Sequence, residues 1–377
     1  MSPNNSYTII HLVRAPIGGI FRHLADLATA QAGQGHQVGI ICDSLTGGPF
    51  EDAYVERLRK ILPLGVTRVE MPRAVGPADI AAMRRVSKVL RAQNPDVLHC
   101  HGSKGGVYGR LAKGLRRLSK KTAVFYAPHG GSLHYSPKSK EGRVYFTIER
   151  FLERWTSGLA HVSEYEQKTY VQKVGEPKTK AHVIHNGIGE QELLPVVPSP
   201  DARDFLFIGM LRDLKGVDLF INAINTLNDE APTTAWIVGD GAEEDKARYR
   251  QMVAERGLSE AVQFYPATPA REVFAMAKSI VVPSRAESLP YIVLEAAGAK
   301  LAMVCTNVGG ISEIYADQSD GLVTPSLDAI TEAMRDMRAA DFQMSITARL
   351  HDQVSKNFSI KVMEERVMKL YQEALNG

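Results

Sequence analysis

The strongest constraint on the fold is a rhythm that occurs twice: short, almost wholly apolar runs alternate with longer stretches of helical periodicity. In the first half the runs are TIIHLV (8–13), QVGIICD (37–43), VTRVEM (66–71), DVLHCHG (96–102), AVFYAPHG (123–130), GLAHVS (158–163) and AHVIHNG (181–187). In the second half they are FLFIGM (205–210), AWIVGDG (235–241), VQFYP (262–266), SIVVPS (279–284), AMVCTN (302–307) and GLVTP (321–325). Near-continuous apolar runs, unlike alternating ones, suit parallel strands covered by helices on both faces. Helical patterns fill the intervals at 20–34, 79–93 and 104–118, and again at 215–228, 243–256, 270–278, 290–299 and 328–340. The expected class is α/β, with two doubly wound lobes, and 377 residues suffice for both. The proline-rich, aperiodic segment LPVVPSPDARD (194–204) is expected to link a lobe at 1–196 to one at 202–357. A terminal amphipathic helix, with Val362, Val367, Leu370, Tyr371 and Ala374 on one face, either caps the second lobe or crosses back onto the first.

Composition excludes several functions. A net charge of +3 is too small to imply nucleic-acid binding. No apolar run reaches the length of a membrane span, and MSPNNSYTIIHLVRAP lacks a basic start followed by an apolar signal core, so a cytoplasmic protein is expected. Cys42, Cys100 and Cys305 are odd in number, sparse and set in or beside apolar runs, which predicts buried, reduced thiols.

Chemistry concentrates in the run SRAESLPYIVLEAAGA, where Glu287 falls in a loop and Glu295 a turn or two into a helix. The helix start near Ser288 and Pro290 offers backbone N–H groups and a positive dipole end, which suits a phosphate. Two carboxylates beside an anion site match the hydroxyls and the diphosphate of a nucleotide-sugar. Upstream, Arg212 and Lys215 follow the strand FLFIGM and can clamp a diphosphate, stabilising it as it departs.

In open parallel sheets, ligands bind beyond the carboxyl ends of the strands, where several further signals fall. Gly18 and Gly19 follow the first strand and allow close approach of backbone N–H groups to a ligand. They do not complete a dinucleotide fingerprint, and Asp43 is the candidate for its ribose-binding acid. His129, beside two glycines, can hydrogen-bond a sugar hydroxyl or steady a developing charge. His99 and His101 share one side of a strand, but no third ligand is evident nearby, so no metal site is expected. In GRLAKGLRRLSKK (109–121), Arg110, Lys113, Arg116, Arg117, Lys120 and Lys121 interleave with leucines at helical spacing. That pattern suits an amphipathic helix on an anionic membrane leaflet. Walker loops, G-x-S-x-G, zinc-type cysteine pairs and magnesium-type carboxylate clusters are absent.

These segments together resemble one family. Glu287-SLPYIVL-Glu295 is similar to the E-x7-E signature of retaining GT-B glycosyltransferases, and FLFIGMLRDLKGVDLFINAI to the donor-diphosphate segment of glycosyltransferase family 4. GGIFRHLADLA, DVLHCHG, the His129 turn, HVSEYE, VIHNGI, WIVGDG and TNVGGISEI follow in the expected order, so the resemblance spans nearly the whole chain. It implies two Rossmann-like lobes facing a central cleft, with the terminal helix 358–377 joining the first lobe. By position, Glu295 would bind ribose hydroxyls, Glu287 the donor sugar and Lys215 the diphosphate. Backbone groups of Leu289, Pro290, Tyr291 and Ile292 would meet phosphate or sugar, and those around Tyr265, Pro266 and Thr268 the base. His129 would bind the transferred sugar, and Gly18 and Gly19 would lie near the diphosphate and acceptor. The chain departs from the family pattern at Met210, where arginine is common and Arg212 is the substitute. It departs again at Ser288, often glycine, and at Phe264-Tyr265-Pro266, often F-x-G.

The resemblance implies sugar transfer from a UDP or GDP donor to a glycan or lipid-linked hydroxyl, with retention and without metal. The expected setting is envelope polysaccharide assembly, peripheral at the inner membrane face. A nucleotide-sugar epimerase and a phosphorylase-like enzyme are alternatives of the same fold. A two-lobed sugar-binding protein and an NAD-dependent oxidoreductase are further alternatives, disfavoured by the diphosphate clamp and the incomplete glycine pattern.

Overall fold

The computed structural model describes residues 6–316, 321–338 and 340–375. Residues 1–5 and 376–377 of the expected first lobe lie outside them. Contacts divide the chain into two units, Met1–Asn186 with Ile360–Gly377, and Gly187–Ser359.

The first unit runs β1 (Thr8–Val13), α1 (Gly18–Gly33), β2 (Gln37–Asp43), α2 (Pro49–Ile61), β3 (Val66–Val69), α3 (Ala78–Gln93) and β4 (Val97–His101). It continues α4 (Gly102–Gly114), β5 (Ala123–Ala127), α5 (Lys140–Leu152), β6 (Gly158–His161), α6 (Glu164–Lys173) and β7 (Lys180–Val183). The second unit runs β8 (Arg203–Ile208), α7 (Val217–Glu230), β9 (Ala235–Val238), α8 (Glu243–Glu255), β10 (Val262–Tyr265), α9 (Ala270–Val273) and β11 (Ala277–Val282). It ends with α10 (Tyr291–Gly298), β12 (Ala302–Thr306), α11 (Ile311–Tyr315), β13 (Leu322–Val323), α12 (Leu327–Asp336) and α13 (Ala340–Asn357). The last helix, α14 (Ile360–Leu375), belongs to the first unit.

Neighbouring strands pair in parallel throughout, in the orders β3-β2-β1-β4-β5-β6-β7 and β10-β9-β8-β11-β12-β13. Each sheet is doubly wound, with one point where the direction of winding reverses: between β1 and β4, and between β8 and β11. Two-sided burial explains the continuous apolar runs. Ile9 packs with Leu24, Leu27 and Val367 on one face of the first sheet, while its neighbour Ile10 packs with Leu90 and Tyr126 on the other. Met363, Val367, Leu370 and Tyr371 of α14 join the first of these layers, which settles where the terminal helix goes. The proline-rich segment is tied to the second unit, Val196 N–H donating to Ala299 O and Ser199 N–H to Ala275 O, both at 2.9 Å. Cys42, Cys100 and Cys305 are free and buried, as expected.

The basic stretch departs from its expected form. The helix predicted over 104–118 stops at Gly114, and Arg116 adopts a left-handed φ of 55°. Arg110 is not on a cationic rim but fully buried. Its guanidinium pairs with Glu149 at 2.7 Å and lies 3.8 Å over the ring of Tyr126, whose hydroxyl donates to the same carboxylate. Helical spacing in the sequence put Arg110 with the other cations; the acid that draws it inward comes from α5, distant in sequence. Lys113 is partly consumed too, donating to the carbonyls of Ser119, Lys120 and Thr122. Arg116, Arg117, Lys120 and Lys121 remain exposed.

Candidate functional site

At the reversal point of the second sheet, the loops leaving β8 and β11 meet. Lys215 follows β8 and Glu287 follows β11, and the ammonium sits 2.6 Å from Glu287 Oε1. The same oxygen accepts from Ser284 Oγ at 2.7 Å. Ser284 is in turn fixed by Thr306 Oγ1, which donates to its carbonyl at 2.5 Å. With Glu287 only 9% exposed and Lys215 23%, the pair is held largely out of water. The helix α10 begins four residues after Glu287, with Pro290 at its N-cap, whose ring offers no capping group of its own. A cation, a carboxylate and a helix start thus converge where ligands of such sheets bind.

Two glycines make this convergence sterically possible. Gly216 has a φ of +72°, and a Cβ there would lie 1.9 Å from Pro283 O. Gly309 has a φ of +63°, and a Cβ there would lie 1.7 Å from Glu287 O. Both loops can press against the β11 end only because they carry no side chain at those points. Arg285 adds a clasp: it donates bidentately to Asp218 at 2.8 and 2.7 Å and to Asp213 O at 2.5 Å, binding the Lys215 loop to the Glu287 loop.

The other donor-side candidates occupy the same end of the sheet to differing degrees. Glu295 lies in the second turn of α10, half-buried. Leu289 and Tyr291 are buried, and Ile292 sits in the first turn of α10. Tyr265 ends β10, with its side chain 38% exposed and its carbonyl accepting from Gly239 N–H. Pro266 O accepts from Thr268 Oγ1 at 3.0 Å. Arg212 and Met210 are both exposed, so Arg212 is not drawn into the Lys215–Glu287 pair.

The reversal point of the first sheet has a different chemistry. His11 on β1 is the register partner of His99 on β4, and its Nδ1 lies 3.0 Å from Nε2 of His101, two residues further along β4. His101 Nδ1 lies 3.0 Å from His129 Nε2, and His11 Nε2 lies 2.8 Å from Gln31 Oε1. Burial keeps these rings neutral: it lowers His11 to about 4 and holds His101 and His129 well below the ordinary 6.5. A neutral imidazole has one donor and one acceptor. Gln31 presents its oxygen to His11, because its NH2 faces Met368 Sδ and the Tyr371 hydroxyl. His11 therefore donates to Gln31, His101 to His11 and His129 to His101. The chain leaves Nδ1 of His129 as an acceptor. The His129 turn is strained, with φ of 52°, and is tied down by Glu166, which accepts from Gly130 N–H and from Val162 N–H.

The expectation that His99 and His101 lack a third ligand is corrected. The fold brings His11 to them, and His23 and His129 to His101, with one ligand atom from each residue of a trio within 4.8 Å of the others. These partners come from β1, α1 and the β5 turn, which no local spacing links to β4. A metal ion in either trio would have to displace the proton shared between two rings 3.0 Å apart. Asp43, the ribose candidate, is buried, and its Oδ1 accepts from Met71 N–H, so it ties the end of β2 to the segment after β3. Gly18 and Gly19 open α1 on the exposed side of β1, Gly18 with a φ of +66° and clear space around it.

Two family descriptions cover most of the chain: residues 18–187 match the glycosyl transferase 4-like domain, and residues 202–339 match glycosyl transferases group 1. This chain belongs to the GT-B glycosyltransferases of family 4, group 1. It is 28% identical over 275 residues to the glycosyltransferase EpsD of Bacillus subtilis, covering 69% of this chain and 71% of that one. It is 21% identical over 311 residues to the UDP-Gal:alpha-D-GlcNAc-diphosphoundecaprenol alpha-1,3-galactosyltransferase of Escherichia coli, covering 78% and 79%. The structure of Anabaena HepE in complex with UDP and glucose shares the fold, with a TM-score of 0.80 and 17% identity, covering 96% and 98%. In this glycosyltransferase, sequence reasoning proposed Glu287, Lys215 and His129 as candidates but missed what positions them. Ser284, Thr306, Arg285, Gly216 and Gly309 serve the first two, and Gln31, His11, His101 and Glu166 serve the third. Most of them lie inside the quoted segments, but they act through partners remote in sequence, which a linear reading does not connect.

Proposed function

We propose that this glycosyltransferase is a retaining enzyme that moves a sugar from a UDP- or GDP-sugar to a hydroxyl of a glycan or lipid-linked acceptor, without a metal. The observation that carries the reading is the Lys215–Glu287 pair beside the start of α10, at the reversal point of the second sheet. Lys215 and the first N–H groups of α10 hold the diphosphate, supplying the positive charge that a metal supplies elsewhere. Glu295 takes the ribose hydroxyls, and Glu287 the donor sugar. Backbone groups near Tyr265, Pro266 and Thr268 meet the base, while Gly18 and Gly19 serve the diphosphate and the acceptor. His129 Nδ1 accepts a hydrogen bond from a sugar hydroxyl.

In the chemical step the bond from the anomeric carbon to the diphosphate breaks, its electron pair staying on the phosphate oxygen. The acceptor oxygen bonds to the same face of that carbon, and its proton passes to the departing phosphate oxygen. No protein base is required. The undecaprenol-linked substrate in the name of the Escherichia coli relative supports a lipid-linked acceptor for envelope polysaccharide at the cytoplasmic membrane face.

A thermal-shift titration tests the reading. UDP or GDP should raise the melting temperature, unaffected by EDTA, and Glu295→Ala should abolish the shift. A shift with NAD alone, or with no nucleotide, would sink it.

A further inference from the structure

We propose that the outer face of α5, with the loop after α4, is a docking surface for an anionic lipid bilayer. The observation is an apolar stripe where a surface helix should be polar. Gly142, Phe146, Glu149 and Leu152 fill the inner face of α5. On the outer face Val144, Ile148 and Phe151 are 56%, 38% and 45% exposed, at helical spacing. Trp155 extends the stripe: its ring meets Phe151 edge to face, with centroids 5.2 Å apart. The same ring lies against Gly114, where a Cβ would approach to 2.5 Å. That packing brings the adjacent Leu115, 58% exposed, to the edge of the stripe. Clustered apolar side chains in water mark an interaction site.

Charge identifies the partner. The exposed cations Arg116, Arg117, Lys120 and Lys121 follow Leu115 in the chain, in the loop that begins where Gly114 meets Trp155. On the α5 side Lys140, Arg143 and Arg154 are exposed, the Arg154 guanidinium lying 4.1 Å over the Phe151 ring. Acids of the same region are turned inward: Glu149 to Arg110 and Tyr126, and Glu153 to Arg150 and the Lys178 N–H. Glu141 is the exposed acid of α5. A cationic face disfavours a second copy of itself, whereas tryptophan and phenylalanine rimmed by arginine and lysine suit the headgroup boundary of an anionic leaflet. The membrane surface is thus assigned to α5 and the α4 loop, with Arg110 no part of it. The functional value of such docking rests on the lipid-linked acceptor proposed above; the docking itself does not.

Vesicle flotation tests it, using phosphatidylcholine with phosphatidylglycerol beside phosphatidylcholine alone. The full chain should float with the anionic vesicles, and high salt should release it. Ile148→Ser with Phe151→Ser, and separately Arg116→Glu with Arg117→Glu, should each weaken binding about tenfold or more. Circular dichroism should show both variants folded; should the first misfold, the second, on an exposed loop, still decides. Equal binding to both vesicle types, no binding, or variants that bind like the parent would overturn the proposal. So would sedimentation velocity showing self-association that the same substitutions abolish. UDP and GDP titrations on the same samples separate the two readings: loss of nucleotide binding alone strikes the transferase chemistry, and loss of flotation alone strikes the docking surface.

Discussion

The two units use one architecture to build opposite kinds of site. In each, a doubly wound parallel sheet reverses at a central pair of strands, and polar side chains gather at the carboxyl ends there. At β8 and β11 the result is an ion pair, Lys215 with Glu287, kept apart from bulk water but open at the Lys215 side. At β1 and β4 it is a chain of buried, neutral imidazoles anchored on Gln31. The lesson is that the fold chooses the place and the side chains choose the task. A fixed cation suits a ligand that arrives charged and leaves more so. A neutral hydrogen-bond chain suits a group that must present one defined lone pair.

The comparison can be broken most severely with acid. His11 and His23 are held at about 4 by burial, against an ordinary 6.5 in the unfolded chain. Between those values the unfolded state binds more protons, so stability must fall as pH drops from 6.5 to 4, and His99, His101 and His129, held well below 6.5 too, add to the loss. Each contributes roughly 3 kcal/mol to that loss, since one pKa unit is about 1.36 kcal/mol. The paired carboxylates Asp79, Asp204 and Asp213 are lowered from 3.8 and act only in more acid solution, so the window belongs to the histidines. Urea midpoints that stay flat from pH 6.5 to 4 would deny the neutral chain.

On the charged side, Lys215→Ala should lower kcat/KM for sugar transfer about 100- to 1,000-fold, the cost of losing one preorganised charge contact to the leaving group. Steady-state kinetics checks this; a change confined to KM would place Lys215 in ground-state binding only.

Breaking the imidazole chain at its root comes next. Gln31→Glu puts a carboxylate against His11 and should raise the pKa of the chain, while His11→Phe should free His101 to reverse its tautomer. If His129 Nδ1 acts as an acceptor, His11→Phe should lower kcat about tenfold, the cost of one misdirected hydrogen bond of about 1.4 kcal/mol. Nitrogen NMR of the ring tautomers gives a readout that a packing defect alone would not move: His129 protonated on Nδ1 in the parent would refute the assignment.

The smallest effect should come from Arg285→Ala. Its bidentate contact with Asp218 is at the surface, so stability should change by about 1 kcal/mol or less. Because Arg285 clasps the Lys215 loop, kcat/KM should nonetheless fall several-fold, with the donor KM rising. Unchanged kinetics would show that Gly216 and Gly309 suffice to set the loop.

The sequence alone determined the class of fold and the order of the strands among the described residues, and it singled out Glu287, Glu295 and Lys215 as candidates. Apolar periodicity is a local property, as is the punctuation of a helix start, and both survive in a linear reading. Some helices escaped it, among them α2, α5, α6 and α13. The tertiary structure alone decided which side chains meet. Arg110 reads as a surface cation until Glu149, thirty-nine positions on, is placed against it. His99 and His101 read as a pair until β1, α1 and the β5 turn deliver three more rings. Lys215 and Glu287 read as separate groups until two positive-φ glycines let their loops touch. Burial, pairing and tautomer depend on through-space neighbours, and in a parallel sheet those neighbours come from strands separated by whole helices.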